Sequence, residues 1–433
     1  MATGDSIQNS VSHSHDLRNR ILFTIFILCI YRLGTYVPLS GIDPVALKEI
    51  MSSSQKGLLG MFNVFSGGAV QRMALFALGI MPYISASIIV QLLTGVSDYF
   101  KNLKDQGELG RKKITQITRY GTVFIASLQG YGVSVGLENA GNLVIEPGVY
   151  FNVMTTISLV AGTTFLMWLG EQITSRGIGN GISLIIFSGI VAEIPRALAS
   201  TFELGRTGAL SPVMIISIFL LLIGTVMFIV FIERAMRKIL INYPKRQMGN
   251  KIYGGDSSHL PLKINTAGVI PAIFASALLL LPITFSNFGL SESDTFIDIS
   301  SLFSQGKPLY MLLYAFGIIF FSFFYTSIVF NPKETAENLR KYGGYVPGVR
   351  PGERTAFYIE GILTKLTTIG ASYLTLVCLM PEFLISKYPI PFYLGGTSVL
   401  IVVVVAMDTV TQIQTRLMSS QYESLIKKAK FNR

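Results

Sequence analysis

Side chains that could do acid–base, metal or nucleophilic chemistry are few in this sequence and lie far apart. Half of the 433 residues are hydrophobic and 14% are charged. His13, His15 and His259 fall in polar segments without the spacing of metal ligands, and Cys29 and Cys378 each fall in an apolar run. The sequence carries no nucleotide-binding loop and no serine-hydrolase motif. We therefore expect no covalent chemistry, no cofactor and no metal.

Charged residues inside apolar runs would mark the working site of a membrane protein. Arg32, Lys365 and Asp408 lie in such runs, each of them toward one end. A transporter driven by protons or sodium needs ionisable groups near the bilayer midplane, and a voltage sensor needs a row of arginines. The sequence therefore argues against ion-coupled transport as well as against an enzyme.

Apolar runs long enough to cross a bilayer recur ten times, which predicts a polytopic membrane protein. The runs are continuous and do not alternate with a period of two, so they predict helices and not a barrel. The first run continues without a small-residue cleavage site, which indicates a retained span. The predicted spans are 21–39, 74–93, 120–137, 149–169, a poorly bounded fifth from about 178, 213–232, 267–284, 309–330, 361–384 and 393–412.

The loops between these spans differ sharply in their content of Lys and Arg. One side, which holds both termini, carries 26 of these residues, and the other side carries 7. Cytoplasmic loops are enriched in Lys and Arg, so we expect both termini in the cytoplasm. Termini on the same side require an even number of spans, which ten satisfies.

Much of the cytoplasmic charge lies in two long loops, 233–263 and 331–358, which are also rich in aromatic, Gly and Pro residues. Positive-inside topology and attraction to anionic lipids explain part of this charge. Neither explains the length and composition of the loops. We interpret them as a docking surface for a cytoplasmic partner.

The stretch 61–93 joins two unlike parts. Residues 74–93 contain no charge and are long enough for one crossing, although Gly79 and Pro82 loosen the predicted helix. The preceding FNVFSGGAVQR is too short and broken to cross, and such backbone survives at membrane depth only when it is buried in protein or lines a cavity. We interpret it as a re-entrant segment. An amphipathic helix on the membrane surface is the alternative.

Small and polar uncharged residues and regularly spaced isoleucines recur in the spans. The polar residues Ser87, Gln91, Gln129 and Ser276 fit either ordinary helix packing or an interface weak enough to open sideways. The isoleucines recur at a spacing of four around a proline and after a glycine run, which places each pair on one helix face. Periodicity alone favours ordinary core or lipid-facing positions for them.

Long motifs of this chain resemble those of bacterial SecY proteins, the central subunits of the Sec protein-conducting channel. The resemblance covers the chain from about residue 17 to its C-terminal SSQYESLIKKA, and residues 1–16 and the outer 3–4 and 7–8 loops carry no matching motif. The motifs are FNVFSGGAVQRMALFALGIMPYISASIIVQLL, MWLGEQITSRGIGNGIS, LPLKINTAGVIPAIFAS, FFYTSIVFNPKETAENLRKYGGYVPGVRPG and GGTSVLIVVVV.

The resemblance implies an all-α membrane fold of ten helices in two inverted, pseudo-symmetric halves. The halves would be 21–211 and 212–412, between cytoplasmic ends at 1–20 and 413–433. A plug at about 57–72 would close the pore, with Phe62, Asn63, Phe65, Ser66, Gly67 and Gly68. A pore ring would be formed by Ile80, Ile84, Ile182, Ile186, Ile273 and Ile401.

The resemblance also implies a function and partners. Spans 2, 3, 7 and 8 would form a lateral gate with Ser87, Gln91, Gln129 and Ser276. The chain would pass unfolded secretory proteins across the inner (cytoplasmic) membrane and release transmembrane segments sideways. SecE and SecG would complete a heterotrimer, and SecA or the ribosome would dock on Arg237, Lys245, Arg246, Lys251, Arg340, Lys341 and Arg350. A facilitator of small solutes and a membrane-embedded enzyme are the alternatives.

Overall fold

The computed structural model describes residues 3–43, 46–47, 63, 66–139, 143–208, 211–243, 246–248, 251–253, 257–286, 307–387 and 396–431. Helices dominate this part of the chain. In chain order they are α1 Thr3–Gly34, α2 Met81–Val96, α3 Asp98–Asp105, α4 Glu108–Asn139, α5 Val149–Arg176, α6 Gly181–Arg206, α7 Pro212–Arg234, α8 Ile270–Ser286, α9 Pro308–Val329, α10 Pro332–Lys341, α11 Glu353–Lys387 and α12 Gly396–Phe431.

Each of the ten predicted spans coincides with a helix. The fifth, poorly bounded in the sequence, is α6, which contains Pro195 in its interior. Six of the described helices are long and apolar enough to cross a membrane by length and composition, and α2 and the segment Ile270–Leu279 are shorter apolar helices. The chain is therefore a helical multi-pass membrane protein.

Two predicted boundaries are wrong, and both concern the start of the chain. The first span was expected to reach residue 39, but α1 ends at Gly34. The second was expected to begin at Ala74, but residues 74–80 form turns and α2 begins at Met81. Pro82 lies in the first turn of α2, where its missing N–H leaves no helical hydrogen bond unmade.

The packing order of the helices repeats along the chain. In the first five spanning helices α2 packs on α4, α4 on α5 and α5 on α6. In the last five α8 packs on α9, α9 on α11 and α11 on α12. Because five crossings reverse the chain direction, two such sets have opposite orientations in a membrane. The two sets meet at two seams: the gate seam, where α2 and α4 contact α8, and the α12 seam, where α1 and α6 contact α12.

The long loop after α7 folds into two antiparallel hairpins that the sequence did not predict. Strand β1 Met236–Asn242 pairs with β4 Ser257–Lys263, and β2 Arg246–Met248 pairs with β3 Lys251–Tyr253. Ile239 and Leu262 of the longer hairpin are buried in a small hydrophobic cluster with residues of the next long loop and of α11. These contacts hold the hairpin against the helical bundle.

The second long loop contains α10, a helix that the sequence reading also missed. Its start is capped by Asn331, whose side chain accepts from the amides of Lys333 and Glu334, and Pro332 is its first residue. Arg340 and Lys341 lie in its last turn, where positive charge favours the helix dipole. Backbone hydrogen bonds of 2.9 and 3.0 Å between Asn242 and Tyr345 join this loop to β1, so both loops belong to one surface.

Candidate pore and gate

The six isoleucines of the predicted ring meet in one buried hydrophobic cluster. Ile80, Ile84, Ile186, Ile273 and Ile401 are buried members of it, and Ile182 is partly buried and packs against it. They come from four separate places in the chain: the start of α2, and helices α6, α8 and α12. This cluster is large and also contains buried residues of α1, α5 and α9. The assignment of the six isoleucines to a ring therefore stays a prediction.

Three of these four places are helix starts. Ile80 immediately precedes α2, Ile182 is the second residue of α6, and Ile273 lies in the first turn of α8. Gly79 and Gly268, in the left-handed region with φ of 56° and 64°, turn the chain into α2 and α8. The cluster is thus built where the backbone changes direction inside the bundle.

The predicted plug lies partly in the described residues. Phe62, Phe65 and the rest of 57–62 lie outside them. Ser66, Gly67 and Gly68 are buried in a series of turns. Asn63 holds these turns: its carbonyl accepts from the Gly68 amide at 2.8 Å, and its side-chain oxygen accepts from the Gln71 amide at 2.9 Å. From residue 66 onward this segment is buried and irregular, and it is not the surface helix that the sequence left as an alternative.

The four predicted gate residues lie on the helices of the gate seam. Gln129 and Ser276 are buried, and Ser87 and Gln91 are half-buried. Their hydrogen bonds stay within single helices: Gln91 Nε2 donates to Ser87 Oγ at 3.1 Å, and Ser276 Oγ donates to the Ile273 carbonyl at 2.9 Å. Gln129 Oε1 is buried without a hydrogen-bond partner among the described residues.

One contact crosses between the two sets of helices beside the gate seam. Lys104 Nζ of α3 donates to the carbonyl of Ile328 in the last turn of α9 at 3.0 Å. This turn of α9 has no basic residue of its own. A Cβ atom at Gly95, near the end of α2, would lie 3.2 Å from the ring of Phe324 in α9, so the two helices approach closely here.

The predicted docking residues that the structure describes lie on the loop surface. Arg237, Arg340, Lys341 and Arg350 are exposed. Arg350 belongs to neither α10 nor α11, and its carbonyl accepts from Thr355 Oγ1 at 3.0 Å. Lys245 lies outside the described residues, and the backbones of Arg246 and Lys251 belong to β2 and β3.

The charged residues that the sequence placed inside spans lie mainly at the surface. Lys365 is exposed, and Asp408 is exposed with its carboxylate 4.0 Å from Lys263 Nζ. Sequence reasoning missed Glu233, which is buried at the end of α7 and accepts from Asn265 Nδ2 at 2.6 Å. Its position next to Arg234, at a span boundary, gave no signal of burial. Among the described residues no group of three or more His, Cys, Asp or Glu could hold a metal ion.

Six described helices that are long and apolar enough to cross a membrane, two shorter apolar helices, an irregular buried segment and an apolar cluster shared by both sets of helices define a polytopic membrane protein of the channel type. The SecY family model matches residues 74–410. The chain is 56% identical over 425 residues to the protein translocase subunit SecY of Rickettsia bellii, covering 97% of this chain and 98% of that one. It is 52% identical over 431 residues to the same subunit of Escherichia coli K12, covering 98% and 97%. The chain belongs to the SecY family.

Solved structures agree on the fold. One described as a protein-conducting channel superposes with a TM-score of 0.65 at 17% identity, covering 93% of each chain. Sec61 in a canine ribosome–channel complex from the endoplasmic reticulum gives a TM-score of 0.61 at 16% identity, also covering 93% of each chain. The predicted fold class is therefore confirmed.

Proposed function

We propose that this chain is the pore-forming subunit of a Sec translocase, passing unfolded secretory proteins across the inner membrane and releasing transmembrane segments into it. The observation that carries the proposal is the large buried apolar cluster shared by the two sets of helices, to which isoleucines from four places in the chain belong. The full-length relatives named protein translocase subunit SecY support the same reading.

The isoleucines form the pore ring in this proposal. The Cβ of isoleucine is branched and stiff, so the ring is apolar and well defined at rest. An apolar constriction blocks ions by dewetting and offers a passing chain no polar group that would hold it. Segment 57–72 is the plug that packs on the closed ring, and 21–211 and 212–412 are the two halves around it.

The gate seam is the sideways exit. A segment of ~20 apolar residues gains free energy on transfer to lipid by the same effect that drives burial in folding. The gate residues hydrogen-bond within their own helices, so parting α2 and α4 from α8 breaks none of these bonds. The seam therefore opens at low cost for a segment that prefers lipid.

The chain has no nucleotide-binding loop, so the driving force comes from partners. SecA or the ribosome docks on the basic loops, SecE clamps the two halves, SecG is an accessory subunit, and anionic lipids contact the cytoplasmic basic residues. Both termini are cytoplasmic. A ribosome-bound Sec61 among the structural neighbours supports the docking assignment. The alternative of a small-solute facilitator would need a specific polar site in the bundle, whereas the shared cluster is apolar.

Reconstitution tests the function directly. The chain with SecE and SecA in vesicles should protect a secretory precursor from added protease, and no protection would contradict the proposal.

Arg350→Glu should abolish SecA-driven protection. A guanidinium in a tight turn makes forked, charge-assisted contacts, and a carboxylate, which has the opposite charge, cannot make them. Arg206→Glu, an exposed arginine at the opposite face, is the matched control. Normal SecA translocation ATPase with Arg350→Glu would overturn the docking assignment.

A further inference from the structure

A polar cluster lies beside the segment 66–73 on the side assigned as outer. Arg32 of α1 donates from Nη1 to the carbonyl of Gly67 at 2.6 Å and from Nη2 to the hydroxyl of Tyr36 at 3.1 Å. The first bond joins a charged donor to a backbone oxygen, the stronger kind of hydrogen bond. It fixes the turn at Gly67 directly to α1.

Arg72 joins the same cluster from the segment itself. Its guanidinium lies over the ring of Tyr36, 4.1 Å from the ring centre, and Nη2 is 4.0 Å from Glu193 Oε1 of α6. Arg72 Nη1 is buried without a hydrogen-bond partner among the described residues. Arg72 thus interacts with one aromatic ring and one carboxylate, and the hydrogen-bonding capacity of its guanidinium is not fully used.

A second contact reaches the segment from α6. One turn after Glu193, Arg196 donates from Nη1 to Gln71 Oε1. Glu193 and Arg196 therefore face Arg72 and Gln71, so two neighbouring residues of the segment meet two residues of one helix. Such reciprocal contacts fix the register of the segment on α6 as well as its distance.

The two glycines let the backbone come this close. A Cβ at Gly67 would lie 3.1 Å from both Tyr31 Oη and Gly189 Cα, and a Cβ at Gly68 would lie 2.4 Å from Glu193 Oε1. Both glycines also have positive φ, 65° and 82°, which side-chain-bearing residues rarely adopt. The segment therefore packs closely between α1 and α6 and does not contact the apolar cluster alone.

We propose that Arg32, Tyr36, Arg72, Glu193 and Arg196, here called the latch, position the segment 66–73 in its closed place and set how readily it leaves. This inference rests on the proposed function for its biological meaning. Glu193 is the central residue, because its carboxylate lies 4.0 Å from the Arg72 guanidinium of the segment, and Arg32 and Arg196 add further positive charge to the same cluster. Its neutralisation leaves those charges uncompensated and favours release of the segment.

Hydrogen–deuterium exchange on the complete complex with SecE and SecG in nanodiscs tests the latch without translocation. Glu193→Gln and Arg32→Gln should each raise exchange of the 66–73 amides about tenfold, the effect of losing one charge-assisted hydrogen bond or ion pair. Resting ion conductance in planar bilayers should rise with it. The double variant Glu193→Gln with Arg72→Gln should raise exchange by less than the product of the two single effects, because both changes break the same pair.

Arg119→Gln is the matched control. Arg119 forms a forked pair with Glu171 between α4 and α5, with distances of 2.8 and 2.7 Å, away from the segment. Its removal should leave exchange of the 66–73 amides unchanged. Unchanged exchange and conductance in both Glu193→Gln and Arg32→Gln would overturn the latch. If Glu193→Gln raised exchange throughout α5 and α11, that variant would be unfolded. The exchange measured in Arg32→Gln and Arg196→Gln would then decide whether the latch holds the segment. Failure of precursor protection with a latch that behaves as expected would count against the proposed function alone.

Discussion

The gate seam and the α12 seam join the same two sets of helices with different chemistry. At the α12 seam Leu400, Ile401, Val404 and Val405 are buried, and the Gly179 amide donates across the seam to Gln412 Oε1 at 3.0 Å. The gate-seam helices α4 and α8 carry the buried polar residues Gln129 and Ser276 beside buried aliphatic residues, and Gln129 Oε1 has no partner among the described residues.

The difference indicates which seam moves. A buried polar atom without a partner costs free energy that opening the seam to water or to a passing chain recovers. Aliphatic side chains at the α12 seam lose contact and gain water on opening, which costs free energy. We therefore expect the two sets to part at the gate seam and to stay joined at the α12 seam.

Locking the gate seam should have the largest effect. Gly95→Cys and Phe324→Cys, bridged by a short bifunctional maleimide, should lower integration of a model membrane protein at least about tenfold, because the closed seam gives no exit to lipid. Alkali-resistant integration in vesicles measures this. A bridge between Ala275→Cys and Gly317→Cys, which joins α8 to α9 within one set, is the control. Normal integration with the first bridge in place would place the exit elsewhere.

Creating a cavity at the α12 seam should have the next largest effect. Leu400 is fully buried, so Leu400→Ala should lower the free energy of unfolding by about 2–5 kcal/mol. The melting temperature of the purified complex measures it. Ile369→Ala on the exposed face of α11 serves as the control. Equal melting temperatures of Leu400→Ala and the unaltered chain would show that this seam is not closely packed.

Removing the unpaired amide should tighten the gate seam. Gln129→Leu should stabilise the closed seam by about 1–3 kcal/mol, because an unsatisfied buried polar atom is replaced by an apolar group. Fluorescence transfer between dyes at Val96→Cys and Ser327→Cys, in a chain carrying Cys29→Ser, should report fewer open molecules. Ser127→Leu on the same helix is the comparison. More open molecules in Gln129→Leu would contradict this account of the seam.

The smallest effect is expected at the cytoplasmic end of the gate seam. Lys104→Met removes the cation from the last turn of α9 and should favour opening by about 0.3–1 kcal/mol. The same pair of dyes measures it, and the effect should shrink in high salt because the cation is exposed. Lys101→Met in the same short helix is the control. An effect as large as that of Gln129→Leu would mean that the cation, and not the buried amide, governs the seam.

How well the sequence predicts an element depends on which interactions form that element. Long apolar helices such as α7 and α9 follow from composition, so their bounds were predicted within one or two residues. The start of α2 depends on tertiary turns at 66–80, which periodicity does not record. The hairpin of β1 and β4 depends on the packing of Ile239 and Leu262 against residues of α11 and of the next loop, which the loop sequence alone does not record.

The residues of the candidate site also differ in how far the sequence could predict them. The resemblance supplied the isoleucines, and their convergence needs the three-dimensional packing of helices far apart in the chain. The sequence analysis missed the latch because it placed Arg32 only as a charge toward one end of an apolar run, whereas the Arg32 guanidinium donates to a carbonyl 35 residues later. No local pattern encodes a contact over that distance.

Crosslinking to a trapped secretory chain tests the central claim most directly. Ile84→Cys and Ile273→Cys should each crosslink to a cysteine in the part of an arrested precursor that spans the membrane, because both side chains belong to the shared apolar cluster. Leu220→Cys, on a side chain that is 73% exposed on the outer face of α7, should not. If both isoleucine positions fail to crosslink to a precursor that the channel demonstrably holds, the ring is misplaced and these isoleucines are ordinary core residues.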